Sequence, residues 1–72
     1  MEKYNDLSGN SNISAFEIGN DYIRVCFRGT SKIYTYSNRN AGKRHVDNMK
    51  ILARKGSGLN GYINSNVKFS YD

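Results

Sequence analysis

The alternation in residues 22–28, Y-I-R-V-C-F-R, is the feature that most constrains the fold of this chain. Ile23, Val25 and Phe27 are apolar, and the residues between them are polar, charged or aromatic. Successive side chains of a β-strand point to opposite faces of a sheet. The alternation therefore predicts a strand with an apolar face and a second face that carries Tyr22, Arg24, Cys26 and Arg28.

The residues that follow predict a hairpin. Gly29-Thr30 suits a two-residue type II′ turn, because Gly takes the first central position of that turn. K-I-Y-T-Y, residues 32–36, is then the returning strand. In this register Val25 pairs with Tyr34, so Tyr34 and Tyr36 both lie on the apolar face.

A second register stays open at this stage. A three-residue loop, 29–31, shifts the pairing by one residue and moves every side chain of the second strand to the other face. Tyr34 and Tyr36 would then join Arg24 and Arg28. We favour the two-residue turn, because Gly29 then takes the position at which a type II′ turn prefers glycine. The other sheet face is then a candidate docking surface for a partner protein, formed by Tyr22, Arg24, Cys26, Arg28, Ile33 and Thr35.

The rest of the chain predicts an α+β fold. Residues 13–18 read as a first strand, and residues 41–55 as one main helix with Asn40 as its N-cap. The apolar positions recur at helical spacing at Val46, Met49, Leu52 and Ala53. Residues 59–63 predict a short helical turn, and residues 67–71 a weak final strand. We therefore expect a small antiparallel sheet of three or more strands packed against that helix.

One domain of residues 13–72 is predicted, after a mobile lead-in of residues 1–12 from which Tyr4 and Leu7 could dock. A single cysteine, Cys26, excludes an internal disulfide, and Cys26 with His45 is too few soft ligands for a metal cluster. We expect no cofactor and a homo-oligomer, since small domains often gain stability by association. No apolar run approaches the length of a membrane span, so we expect a cytoplasmic protein without a membrane partner.

The positive charge is concentrated in the middle of the chain. Residues 24–55 contain nine Lys and Arg residues and one acid, Asp47, within a net charge of +5 for all 72 residues. A concentrated positive field attracts anions, and nucleic acid and nucleotide phosphates are the usual candidates. A basic surface that serves only solubility is the simpler alternative.

The stretch R-K-G-S-G-L-N-G-Y, residues 54–62, contains G-x-G-x-x-G. The dinucleotide-binding fingerprint must follow a strand and open a helix, whereas here it follows the predicted helix. Gly56 is therefore first of all the residue that ends that helix. Successive glycines can also form a backbone nest for an anion, with Arg54 and Lys55 adding charge.

Catalysis is not expected. Nucleophilic chemistry would need Cys26 and His45 side by side with an orienting acid such as Asp47. A cysteine in the middle of a strand and a histidine near a helix start give no support for that proximity. The six acids also form no pattern of paired carboxylates.

Several motifs in order resemble the KTSC family, short domains found at the C-terminus of some lysyl-tRNA synthetases and as small bacterial and phage proteins. The motifs are Ile23, Val25 and Phe27, then Tyr34-Thr35-Tyr36, then Ala53, Lys55, Gly56, Asn60 and Ile63. The resemblance covers about residues 11–66, although the family's Val-Pro after Y-x-Y is missing. It implies a sheet-and-helix binding module, with RNA or the nucleotide signals of bacterial immunity as ligands and a bacterial or phage source.

These observations lead to one main hypothesis. The chain is a non-enzymatic module that binds a phosphate-bearing nucleotide, either short RNA or a signalling nucleotide that it sequesters. Bases would stack on Tyr36 or Tyr62. Phosphates would meet Arg39, Lys43, Arg44, Arg54, Lys55, Gly56, Gly58 and Asn60. The alternative is a protein-interaction module that uses the exposed sheet face.

Overall fold

The computed structural model describes residues 1–9 and 11–72. Four strands form one antiparallel sheet in the order β1-β2-β3-β4, with β1 at Glu2–Lys3, β2 at Ile13–Ile18, β3 at Tyr22–Phe27 and β4 at Ile33–Ser37. Helix α1 spans Lys43–Lys55, the short helix α2 spans Leu59–Tyr62, and a π-helical segment spans Ile63–Val67. This architecture confirms the predicted α+β fold.

The favoured hairpin register is confirmed. Val25 pairs with Tyr34, and Ile23 pairs with Tyr36. Strand β4 begins at Ile33, so the connection is a longer loop of residues 28–32, and Gly29 adopts a positive φ of 80° within it. Both tyrosines lie on the face of the sheet that the helices cover.

The core lies between that sheet face and the helical half of the chain. Ile23 and Val25 of β3 are fully buried, as are Val46 and Met49 of α1. The C-terminal helical segments add Leu59, Ile63 and Val67, which are also buried. Their spacing of four residues places these three side chains on one helical face.

The N-terminal end of α1 corrects one prediction. Gly42, with φ of 95°, is the N-cap of the helix and makes no side-chain capping bond. Asn40 is not the cap, because the helix begins three residues later, at Lys43. The Asn40 amide Nδ2 donates instead to Asp72 Oδ1 at 2.8 Å. At the other end the prediction is confirmed. Gly56 is left-handed with φ of 79°, and its N–H bonds the carbonyls of Leu52 and Ala53.

The predicted mobile lead-in of residues 1–12 is in part structured. Residue 10 of this segment lies outside the described residues. Glu2–Lys3 pairs with Ala15 and Phe16 of β2 as an edge strand. Tyr4 is 1% exposed, and its hydroxyl accepts a hydrogen bond from the Leu59 N–H at 3.4 Å. The first residues therefore belong to the sheet and to the core.

The predicted final strand at residues 67–71 is wrong. Val67 ends the π-helical segment and is buried with Ile63. The residues after it, 68–72, are here called the tail. The tail returns to β4, where the Asp72 N–H donates to the Thr35 carbonyl at 2.7 Å. Val67 lies instead on the apolar helical face with Leu59 and Ile63, where it is 1% exposed.

No helix in the described part of the chain is both long and apolar enough to cross a lipid bilayer.

Tyr4 tests whether the first residues are integral to the fold. We expect Tyr4→Ala to lower the free energy of unfolding by about 3–5 kcal/mol, the usual cost of truncating a buried aromatic. Leu7→Ala is the control, because Leu7 is 71% exposed and surface changes stay within about 0.5 kcal/mol. Urea unfolding measures both variants. Equal stability of the two would show that residues 1–5 are dispensable.

Candidate functional site

Most of the predicted phosphate-binding residues are divided between the two ends of α1. Arg39, Lys43 and Arg44 lie at or before its start, and Arg54 and Lys55 form its last turn. A helix of 13 residues separates its ends by about 18 Å at 1.5 Å per residue. The predicted cations therefore form two separate groups, which would contact different phosphates.

The glycine-rich stretch is also occupied by structural contacts. The Gly56 N–H is used in the helix cap, and its carbonyl accepts the Leu7 N–H at 2.7 Å. Arg54 lies in a surface hollow beside Glu2 and Glu17, whose charges disfavour a phosphate there. Gly58 lines a separate small hollow of about 130 Å³ together with Asn60. The predicted backbone nest at Gly56 is therefore not available.

The two predicted stacking tyrosines differ in their burial and in their contacts. Tyr36 is 1% exposed, and burial raises the pKa of Tyr36 to about 12. The Tyr62 hydroxyl lies 2.7 Å from His45 Nδ1 and accepts from Asn48 Nδ2 at 3.1 Å. Both contacts join α1 to α2. Tyr62 therefore links the two helices. Burial leaves almost none of the Tyr36 surface for a base, and stacking on either tyrosine stays a prediction.

A different set of aromatic side chains lines an open groove of about 360 Å³. One wall comes from β3 and β4, and the other from α2, the π-helical segment and the tail. The aromatic lining residues are Phe27, Tyr34, Tyr36, Phe69 and Tyr71. This aromatic groove is the candidate functional site.

The rings of the groove are held at right angles to one another. Tyr34 meets Phe27 with ring centroids 5.4 Å apart and Tyr71 with centroids 4.9 Å apart, both edge to face. Tyr34 is half-buried. Phe69 is 81% exposed, more than any other large apolar side chain among the described residues. The Phe69 ring is therefore accessible from solvent at the groove.

The polar lining consists of Thr30, Lys68 and three asparagines, Asn12, Asn60 and Asn64. Of the predicted site residues, Asn60 and Tyr36 line the groove. Lys68 Nζ lies 5.5 Å from the centre of the Phe69 ring, and Lys32 Nζ lies 5.1 Å from that of Tyr34. Among the described residues that line the groove, none is acidic. Its electrostatic character is therefore neutral to positive.

The tail wall is fastened by Asp72. Its Oδ1 accepts from Ser37 Oγ at 2.8 Å and from Asn40 Nδ2 at 2.8 Å. The pKa of the Asp72 carboxyl is lowered, chiefly by the Ser37 hydroxyl, against a smaller effect of desolvation, with Asn40 and the charge of Arg39 adding to the lowering. This clamp places Tyr71 beside Tyr34.

Sequence reasoning missed Phe69, Tyr71, Lys68 and Asn64. The first three lie in the stretch that alternates like a strand, and this pattern hid their role as a groove wall. In the sequence, the adjacent pair Lys68-Phe69 was the signal for this wall, and it is a weak one.

Cys26 and His45, the residues that nucleophilic catalysis would need side by side, contact different partners. Cys26 Sγ approaches the Thr30 carbonyl at 4.0 Å, whereas His45 contacts Tyr62. Within residues 1–9 and 11–72, no group of three or more His, Cys, Asp or Glu side chains could hold a metal ion. The arrangement in the groove is suited to stacking and hydrogen bonding.

No family model, curated protein or solved structure matches this chain. The resemblance to the KTSC family therefore stays a prediction from motif spacing.

The Asp72 clamp gives a pH dependence. A carboxyl whose pKa is lowered by folding stabilises the fold above its ordinary pKa of about 3.9, and this contribution is lost as the pH falls through the lowered value. We expect urea unfolding to show a larger loss of stability between pH 5 and pH 3 for the natural chain than for Asp72→Asn. Identical losses would show that the clamp does not stabilise the tail.

Proposed function

We propose that the chain is a non-enzymatic binding module for a nucleotide, free or within a short single-stranded RNA, and that the aromatic groove binds the base. The observation that carries the proposal is the lining of the groove: aromatic rings, three asparagine amides and lysine, with no acid among the described lining residues. Its volume of about 360 Å³ is at the lower end of the range for small-ligand sites, which suits one nucleotide at a time.

Each part of that lining matches one part of a nucleotide. Aromatic side chains stack on any base, because every base has a π-face. Amide groups donate and accept together, which suits the hydrogen-bonding edges of bases. Lys32 and Lys68 lie at the groove with no ion-pair partner among the described residues, so their charge is available to a phosphate.

The same lysines argue against a cationic ligand. Aromatic cages bind methylated ammonium groups through the ring faces. Here the ammonium groups of Lys32 and Lys68 already lie over the Tyr34 and Phe69 rings and would repel a second cation. An anionic ligand with a flat apolar part fits better than a cationic one.

A protein-interaction role for the other sheet face is the second candidate. Ile33 is 51% exposed on that side, which favours it. However, Arg24 pairs with Glu17 at 3.1 Å and Arg28 pairs with Asp6 at 3.2 Å. These pairs leave little charge for an acidic partner protein. The predicted homo-oligomer also stays a prediction, which sedimentation at several protein concentrations would test.

Phe69→Ala tests base stacking. Since stacking on an aromatic side chain contributes about 1–3 kcal/mol per base, we expect the affinity for nucleoside monophosphates or short poly-uridine RNA to fall roughly 5- to 150-fold. Ile51→Ala is a matched control, because Ile51 is a 61% exposed apolar residue of α1 that does not line the groove. Calorimetry or fluorescence anisotropy measures both. Unchanged binding by Phe69→Ala would refute stacking on this ring.

Lysine removal tests the phosphate contacts. With single-stranded RNA, each phosphate contact contributes about −0.7 to the slope of log affinity against log salt concentration. We expect Lys32→Ala and Lys68→Ala each to make the slope less steep by about that amount. Lys3→Ala, on exposed strand β1, removes the same charge away from the groove and should leave the slope unchanged.

Recovery of the nucleotide separates binding from turnover. The bound nucleotide should be recovered chemically intact by mass spectrometry after the protein is denatured. A converted nucleotide would contradict the non-enzymatic part of the proposal.

A further inference from the structure

The polar turn between β4 and α1 binds a carboxylate of the chain itself. Ser37 Oγ and Asn40 Nδ2 each donate to Asp72 Oδ1 at 2.8 Å. The Ser37 backbone and the positive charge of Arg39 also lower the pKa of this carboxyl. Hydroxyl, amide and guanidinium groups are among those that bind phosphate oxygens in general. Ser37, Arg39 and Asn40 are here called the oxyanion cradle.

We propose that the oxyanion cradle is a phosphate-binding site which the Asp72 carboxylate fills in this structure, and that a ligand phosphate displaces Asp72 from it. A carboxylate and a phosphate present similar oxygen acceptors to the same donors. A phosphate monoester carries more negative charge than a carboxylate at neutral pH and offers more acceptor oxygens. The cradle is therefore able to exchange one for the other.

The position of the cradle connects it to the aromatic groove. Tyr71 lines the groove, and Asp72, the next residue of the tail, fills the cradle beside the edge strand β4. The Ser37 side chain points to the sheet face opposite that of Tyr36, because successive side chains of a strand alternate. A nucleotide with its base beside Tyr71 would therefore extend its phosphate around the edge of β4 to reach the cradle. The identification of the oxyanion as a nucleotide phosphate rests on the proposed function, whereas the cradle itself rests on the contacts of Asp72.

Displacement of Asp72 would loosen one wall of the groove. The carboxylate clamp and the Asp72 N–H bond to Thr35 hold the end of the tail on β4. The remaining contacts of this end are ring contacts of Tyr71 with Tyr34 and Tyr36, at centroid distances of 4.9 and 6.3 Å. Phosphate binding is thus coupled to movement of the tail. The tethered carboxylate competes at a high effective concentration and lowers the apparent affinity for phosphate.

Asp72→Ala vacates the cradle and tests the competition. We would titrate the full chain with orthophosphate and follow the backbone amide of Ser37 and the side-chain amide of Asn40 by ¹H–¹⁵N NMR. If Asp72 fills the cradle in about nine-tenths of the molecules, the apparent dissociation constant should fall about tenfold in the variant. Equal dissociation constants for the natural chain and Asp72→Ala would overturn the proposal.

Two further variants on the Asp72→Ala background locate the site. Adding Arg39→Ala should reverse the gain in affinity for orthophosphate, because it removes the positive charge of the cradle. Adding Lys3→Ala, which removes the same charge from β1, should leave the gain intact. Equal losses from both would show that net charge alone attracts phosphate, and this would refute a built site.

Acetate and adenosine complete the experiment. If Asp72→Ala gained as much affinity for acetate as for orthophosphate, the assignment to phosphate would be overturned. The vacated site would then accept any carboxylate. Adenosine, which has no phosphate, reports only on the groove. Failure of adenosine to bind while orthophosphate gains affinity in Asp72→Ala would refute base binding and support the cradle.

Discussion

The pairing register of β3 and β4 is the constraint on which the core and the groove both depend. Because Val25 pairs with Tyr34, residues 34 and 36 face the helices and residues 33 and 35 face away. Tyr36 lies under α1 and is fully buried, whereas Tyr34 is half-buried at the open end. A shift by one residue would place Ile33 and Thr35 in these positions. The groove would then lose the ring that Phe27, Tyr71 and Lys32 contact.

The elements that the sequence predicted well are those with strong local patterns. The alternation of residues 22–27 and the Gly at position 29 determine the hairpin, and Gly56 marks the end of α1. The C-terminal part carries two patterns at once. Residues 67, 69 and 71 fit a strand, and residues 59, 63 and 67 fit a helix. Only packing against the sheet decides between them, and packing is not visible in a local pattern.

The candidate site was hard to predict because it is assembled from distant segments. Tyr4 shows the same difficulty, since its hydroxyl meets Leu59, 55 residues further along. The groove combines residues from β3, β4, α2, the π-helical segment and the tail, and among the predicted lining positions only Tyr36 and Asn60 were named. The density of cations along the sequence was a misleading guide to the site. Helix α1 has 13 residues, so the cations at its start lie one helix length away from those in its last turn.

In the binding module that we propose, net charge and the shape of the groove have different roles in recognition. The net charge of +5 attracts anions to the whole surface and raises the rate of encounter, without selecting among them. Selection needs contacts at short range, which the aromatic rings and amides of the groove and the proposed oxyanion cradle would supply. Since the cradle already binds Asp72, an isolated anion must compete with a tethered one. On our proposal, a ligand that also stacks in the groove gains the additional free energy needed to win that competition, and we therefore expect the chain to prefer nucleotides to simple anions.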